Sequence, residues 1–327
     1  MPAEPPDAAD LIARAHVVSV PLHVRFRGVD VREAVLLDGP AGWGEFAPFP
    51  EYDDAEAARW LAAAVEAAWT GWPPRVREVV PVNATVPAVR ADAVPAVLQR
   101  FPGCTTAKVK VAEAGHSLDD DVARVAAVRA ALGGGGRIRV DANGAWTVEQ
   151  ARTALRELAT FGLEYAEQPC ATVEELAVLR RLTDVRIAAD ESIRRADDPL
   201  RVAREDAADL VVLKAAPLGG VRSALRIAER CGLPVVVSSA LDTAVGISAG
   251  LALAGALPDL PYACGLATGG LLAHDVVGLR VSGGALPVGA VVPAPERLAA
   301  LAAPPDRERW WLDRLARCAA AAGGVAP

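Results

Sequence analysis

Of the 34 lysine and arginine residues in the chain, only Lys108, Lys110 and Lys214 are lysine. The sequence is otherwise rich in alanine, glycine, proline and arginine, as if arginine had replaced lysine wherever a fixed positive charge serves. Lysines that persist against that bias mark positions arginine cannot fill. Arginine stays protonated at any working pH, whereas a lysine amine can be tuned to lose and regain a proton and so act as a base. All three lysines close runs of apolar residues. Lys108 and Lys110 are two apart, so on a strand both side chains share one face and Val109 takes the other. Crowded ammonium groups depress each other's pKa, which leaves one amine available as a base near neutral pH.

Three acidic residues, Asp141, Glu167 and Asp190, stand at the ends of further β-branched runs, and Asn143 follows two residues after the first. Carboxylates brought together in a buried place repel and raise one another's pKa. A hard divalent cation resolves that conflict. A ligand set of oxygens without histidine or cysteine selects Mg2+, with Mn2+ as a substitute, over zinc. A small-molecule carboxylate held by such an ion would present its α-carbon between the lysines. The chemistry expected is removal or movement of the proton next to a carboxylate.

The elements that must position these groups repeat. Short β-branched runs at 81–87, 105–111, 137–143, 164–169, 186–192, 210–216, 234–240 and 262–268 alternate with helical stretches. The helix expected over 118–132 carries Asp119, Asp120 and Asp121 in its first turn, where the helix dipole favours negative charge. Thr147 with Gln150 and Thr172 with Glu175 have the spacing of capping boxes. Eight strands and seven intervening helices predict an α/β chain with a (β/α)7β TIM-like barrel, whose active site lies at the C-terminal strand ends. The alternative, a doubly wound open sheet, would carry a glycine-rich phosphate loop after its first strand, and none follows Val86. Residues 1–80 differ in kind. Strands at 17–25 and 32–37 joined by a turn at Gly28, a glycine- and aromatic-rich loop at 42–49 covering the barrel mouth, and a helix at 55–69 predict an α+β capping domain. The barrel is then 81–279, and 280–327 is a C-terminal segment that returns to pack on the cap.

The motifs K-V-K (108–110), D-A-N-G-A-W (141–146), E-Q-P (167–169), A-D-E-S (189–192) and V-V-L-K (211–214) together resemble the muconate-lactonising subgroup of the enolase superfamily. The resemblance spans nearly the whole chain. It implies that Asp141, Glu167 and Asp190 are magnesium ligands, that Lys110 is the principal acid/base with Lys108 its helper, and that Lys214 steadies the enolate from the other face. Relatives of the mandelate-racemase type carry a histidine at the end of the seventh strand, where this chain has V-S-S-A (237–240). Within the subgroup, Arg139, Ser238, Ser239 and the stretch 265–277 (G-L-A-T-G-G-L-L-A-H-D-V-V) resemble dehydratases that aromatise a cyclohexadiene carboxylate. That implies a carbon–oxygen lyase, with Asn143, Arg139, Ser238, Ser239 and Gly265 contacting substrate. The competing reading is an N-acylamino acid racemase or dipeptide epimerase, in which Lys110 and Lys214 exchange protons on opposite faces. Such epimerases usually carry an acidic pair near the eighth strand, and 265–268 offers none.

The remaining features exclude rather than identify. A net charge of −7 without a basic block argues against nucleic acid. The most apolar run, 244–257, is too short to span a membrane, and the acidic, proline-rich first ten residues lack the form of a signal peptide. Five scattered cysteines without a C-x-x-C pair read as reduced thiols, and the cytoplasm follows. His116 and His274 read as ordinary polar residues, the glycine run 133–136 as a helix-ending turn, and Trp310-Trp311 as part of the interface between tail and cap. Glu45 stays ambiguous. Monomer and homo-oligomer are both left open.

Overall fold

The computed structural model describes residues 6–26, 28–195 and 198–322. A short helix α1 (Ala8–Ala13) leads into β1 (Ala15–Phe26), which pairs antiparallel with β2 (Val29–Gly39). The segment expected to loop across the barrel mouth is instead strand β3 (Gly42–Phe46), paired to β2. Gly44 of this strand and Gly39 of β2 serve packing. A Cβ on Gly44 would stand 2.1 Å from the Ala64 carbonyl oxygen, and one on Gly39 2.2 Å from that of Ala68. Only glycine lets the sheet approach helix α2 (Asp54–Val65) and the π-turn Glu66–Thr70 so closely.

Strand β4 (Val79–Pro81) precedes the barrel proper. From there the chain alternates through β5 (Ala84–Val86), α3 (Val94–Leu98), β6 (Thr106–Lys110), α4 (Leu118–Leu132), β7 (Arg137–Asp141) and α5 (Val148–Leu158). It continues with β8 (Leu163–Glu167), α6 (Val173–Arg180), β9 (Ile187–Ala189), α7 (Glu191–Arg194) and α8 (Arg201–Arg204). The last units are β10 (Leu210–Leu213), α9 (Val221–Cys231), β11 (Val235–Val237) and α10 (Ala244–Ala256). Strands β5 to β11 form one seven-stranded sheet in chain order, all pairs parallel. Both expected capping boxes form, and Ser117 with Asp120 makes a third at the start of α4.

The eighth strand is shorter than 262–268. Two parallel bridges, Val82 with Cys264 and Ser238 with Gly265, close the ring between β5 and β11. Thr268 already begins a 3-10 turn to Leu271, in which Gly269 and Gly270 leave no extended backbone to pair. The barrel axis is filled by Tyr165, Ala188, Leu210, Val212, Val236 and Tyr262. This is the (β/α)7β TIM-like barrel with its cap.

In the last segment, β12 (Ala285–Pro287) pairs with β4 at the entrance to the barrel, not with the cap sheet. After α11 (Pro295–Ala300), α12 (Pro305–Ala322) lies against α2 and β1. Trp311 is fully buried beside Phe46 in the cap core, and its indole N–H donates to Glu33. No helix among the described residues is long and apolar enough to cross a membrane; α10, the most apolar, is sequestered against the barrel. All five cysteines carry free thiols.

Candidate active site

Strand period two sends Lys108 and Lys110 of β6 into the barrel with Asp141 of β7 and Glu167 of β8. Asp190 follows β9, and Lys214 follows β10, four strands from β6. All six are buried. Lys108 Nζ donates to Glu167 Oε1 at 2.7 Å and lies 3.1 Å from Asp141 Oδ2. Lys110 Nζ donates to Asp141 Oδ2 at 2.5 Å and Asn143 Oδ1 at 2.6 Å. Lys214 Nζ donates to Asp190 Oδ2 at 2.5 Å from the far side. Three amines and three carboxylates thus form one cluster under the cap.

The two lysines of β6 are driven apart electrostatically. Burial pulls Lys108 down, but Glu167 and Asp141 outweigh it and hold the ammonium firmly charged. At Lys110 burial prevails; Asp141 restores part of the loss, and the Lys108 ammonium opposes it, so this amine titrates below the usual lysine range. Asp141, although buried, is held well below the usual carboxylate range by Lys110 and Lys108. Asp190 is likewise lowered, to about 2, where Lys214 and Arg194 overcome its burial. Glu167 goes the other way, to about 7, because burial and the charge of Asp141 exceed the help from Lys108. One lysine made acidic beside one kept charged is the pattern of a base and its helper.

Backbone strain gathers at the same rim. Asn143, Gln168 and Leu241 adopt φ of 47°, 38° and 64° at three strand ends. Non-glycine residues in that region persist only when their surroundings hold them. For Gln168 the restraint is visible: its Oε1 accepts from the amides of Asp190 and Ser192, so it fixes the turn that presents Asp190.

The cavity is small, about 20 Å3, and is bounded by Lys108, Lys110, Asp141, Asn143, Lys214, Ser238, Ser239 and Gly265. Phe26 from the cap, Thr85, Ala240, Leu241 and Thr268 complete it. A larger cleft of about 790 Å3 lies on the outside of the barrel near His23, Arg100 and His274, and contains none of the strand-end acids or lysines. The geometry of the strand ends, not cavity size, marks the chemistry.

Residues 89–290 match the family described as Enolase C-terminal domain-like, and residues 17–68 match Enolase N-terminal domain-like. The chain is 59% identical over 315 residues to o-succinylbenzoate synthase of Mycolicibacterium smegmatis, covering 96% of this chain and 97% of that one. It is 58% identical to the enzyme of that name from Mycobacterium leprae (96% and 93% covered). For that from Mycobacterium tuberculosis the identity is 57%, with 97% of both covered. The chain belongs to the o-succinylbenzoate synthase family.

Among solved structures, the barrel and cap superpose on muconate lactonizing enzyme from Pseudomonas fluorescens with a TM-score of 0.76 at 23% identity, covering 89% of this chain and 98% of that one. The L-Ala-D/L-Glu epimerase of Bacillus subtilis gives 0.72 at 24%, with 85% and 96% covered. At such identities these two speak for the fold alone.

Members of the enolase superfamily to which the o-succinylbenzoate synthases belong use a divalent metal, and the donor chemistry here suits one. Asp141, Glu167 and Asp190 offer only carboxylate oxygens, and Glu167 is raised by burial and then by the charge of Asp141, a repulsion that a dication would relieve. Among the described residues no three acidic, histidine or cysteine side chains already stand as a cage. The lysine amines hold the positions between the carboxylates, and those contacts would give way to an ion.

Arg139, expected to contact substrate, does not reach the cavity. It points inward like Asp141 but one step deeper, where it is fully buried, bonded to Glu164 Oε2 at 2.5 Å and stacked 4.8 Å from the Tyr165 ring. It belongs to the barrel floor. Ser238 and Gly265 face each other so closely that a Cβ on Gly265 would lie 2.4 Å from Ser238 Oγ. Ser239 Oγ bonds the Gly265 carbonyl and Thr268 Oγ1, each at 2.8 Å. His116 pairs with Arg124, and His274 lines the outer cleft. Glu45 does not cover the mouth; it is buried against Thr243 and Gly246 at the start of α10. The residues that sequence reasoning missed are Phe26, Thr85, Ala240, Leu241 and Thr268 in the lining, and Gln168 and Arg194 behind Asp190. The E-Q-P motif held the signal for Gln168; none marked the others.

Proposed function

We propose that this chain is an o-succinylbenzoate synthase, a magnesium-dependent lyase that dehydrates 2-succinyl-6-hydroxy-2,4-cyclohexadiene-1-carboxylate to 2-succinylbenzoate in menaquinone biosynthesis, in the cytoplasm. The observation that carries the reading is the placement of Lys110 and Lys214 on opposite sides of one buried carboxylate cluster, in a chain 59% identical to a synthase of that name.

Lys110 takes the proton from the carbon bearing the carboxylate, its lowered pKa leaving the amine free to accept it. The same amine, now an ammonium, returns that proton to the departing hydroxide as the C–O bond breaks. Water leaves and the ring becomes aromatic, which supplies most of the driving force. Asn143 Oδ1 accepts from Lys110 Nζ and fixes the direction of its lone pair. Lys108 stays charged and keeps its neighbour acidic. Lys214, across the cavity, faces the negative charge that develops when the proton leaves. Asp141, Glu167 and Asp190 would hold Mg2+, which supplies charge stabilisation at the substrate carboxylate. A cavity of about 20 Å3 is smaller than the ring, so Phe26 and the amines must shift as substrate enters.

Incubation of the purified chain with the cyclohexadiene substrate, following the absorbance of the aromatic product, tests the reading. N-succinyl amino acids in deuterated water test the racemase alternative, which two flanking amines would also permit. Rapid racemisation with the cyclohexadiene untouched would overturn the assignment.

A further inference from the structure

Arg194 does not line the cavity, yet it bonds Asp190, its neighbour Glu191 and the cap at once. It sits one helical turn after Asp190 on α7 and is 3% exposed. Its Nε donates to Asp190 Oδ1 at 3.1 Å, its Nη2 to Glu191 Oε1 at 2.5 Å, and its Nη1 to the Tyr52 hydroxyl of the cap at 3.1 Å. We propose that Arg194 is a positioning residue that sets the Asp190 carboxylate and the Lys110 amine together, and that Tyr52 ties this setting to the cap. The inference rests on the reading of Asp190 as a metal ligand.

The two oxygens of Asp190 are held separately, Oδ1 by Arg194 and Oδ2 by Lys214. When Lys214 yields Oδ2 to an ion, Arg194 still fixes the plane of the carboxylate. A guanidinium does this because its N–H groups form a rigid fork; a freely rotating ammonium does not. The second branch reaches the base. Glu191 Oε1 also accepts from Asn143 Nδ2 at 3.2 Å, and Asn143 Oδ1 accepts from Lys110 Nζ at 2.6 Å. The third branch is anchored from outside the barrel. Arg314 of α12 bonds the backbone carbonyls of Phe49 and Tyr52, and the Tyr52 ring packs 5.7 Å from that of Phe49. The hydroxyl is therefore delivered to Arg194 by a rigid part of the cap. Outer partners that orient a ligand in this way are worth about 10- to 100-fold in metal affinity.

The test is titration of the full chain with Mn2+, reading free ion by electron paramagnetic resonance, for the parent, Arg194→Gln and Tyr52→Phe. Circular dichroism establishes that each is folded. Arg194→Gln should weaken Mn2+ binding roughly 10- to 100-fold. It should also lower kcat at saturating metal, since Glu191 and Asn143 lose their tether. Tyr52→Phe keeps the ring packing and the charge, and should weaken binding about threefold through loss of one hydrogen bond. A folded Arg194→Gln protein with parental affinity and kcat overturns the inference. If that variant does not fold, Tyr52→Phe with parental affinity overturns it. A parent that binds no Mn2+ sinks the metal-site reading beneath it instead.

Discussion

The cap meets the barrel at two carboxyl groups, and their protonation makes a specific stability prediction. Glu45 of β3 is buried; its Oε2 accepts from the amides of Thr243 and Gly246, at 3.1 and 3.0 Å, and from the Thr243 hydroxyl. Asp242 packs beside it, with Oδ2 taken by the Ala240 amide and Oδ1 buried without a partner. Burial and the neighbouring Asp242 push Glu45 from 4.5 to about 8, against the pull of Thr243 and Arg32. The folded state therefore holds a proton on Glu45 that the unfolded chain releases above about pH 4.5. Stability is full at and below that pH, falls as pH rises towards 8, and levels off beyond. A displacement of that size corresponds to on the order of 5 kcal/mol at pH 9. Glu45→Gln mimics the protonated form: its carbonyl oxygen serves Thr243 and Gly246, and its amide offers Asp242 Oδ1 a donor. The variant should match the parent near pH 5 and exceed it increasingly up to pH 9. In urea, read by circular dichroism, the midpoints should separate by roughly 1–2 M at pH 9. Parallel pH profiles for the two proteins would refute the reasoning, because a permanently ionised Glu45 has no proton for the amide to replace.

Further outcomes follow from the lysines. Lys110→Arg keeps the charge but removes the titratable base, so kcat in the product-absorbance assay should fall about 100- to 10,000-fold; a loss under tenfold would contradict a lysine base. Lys108→Met removes an ammonium that lowers Lys110, so the acid limb of kcat/KM against pH should move to higher pH. A limb that stays in place would show that Lys108 does not tune its neighbour.

The sequence carried the cluster of lysines and carboxylates because that cluster obeys local rules. Lys108 and Lys110 share a face by strand period, Asp141 and Glu167 each end a strand and Asp190 follows one, so one-dimensional spacing placed all five. Thr147 with Gln150 and Thr172 with Glu175 were equally local, since a capping box closes within three residues. Depth along the barrel axis was not legible. Arg139 and Asp141 share a face, but two residues of strand, roughly 6.6 Å, separate floor from mouth. Gly42 and Gly44 suggested a loop because glycine's two uses, turning and close packing, look alike in sequence. The cap contributions were hidden for a different reason. Glu45 meets Thr243 across 198 residues and Tyr52 meets Arg194 across 142, distances at which no periodicity speaks.

The dehydration proposed for this chain would depend on a dication gathered by Asp141, Glu167 and Asp190 while Lys110 moves the proton. The rate of product formation before chelation, in excess chelator, and after restoring Mg2+ addresses that dependence directly. Activity should vanish on chelation and return in full with Mg2+, or with Mn2+ in its place. A rate unchanged in excess chelator would mean that the buried carboxylates serve only the lysines.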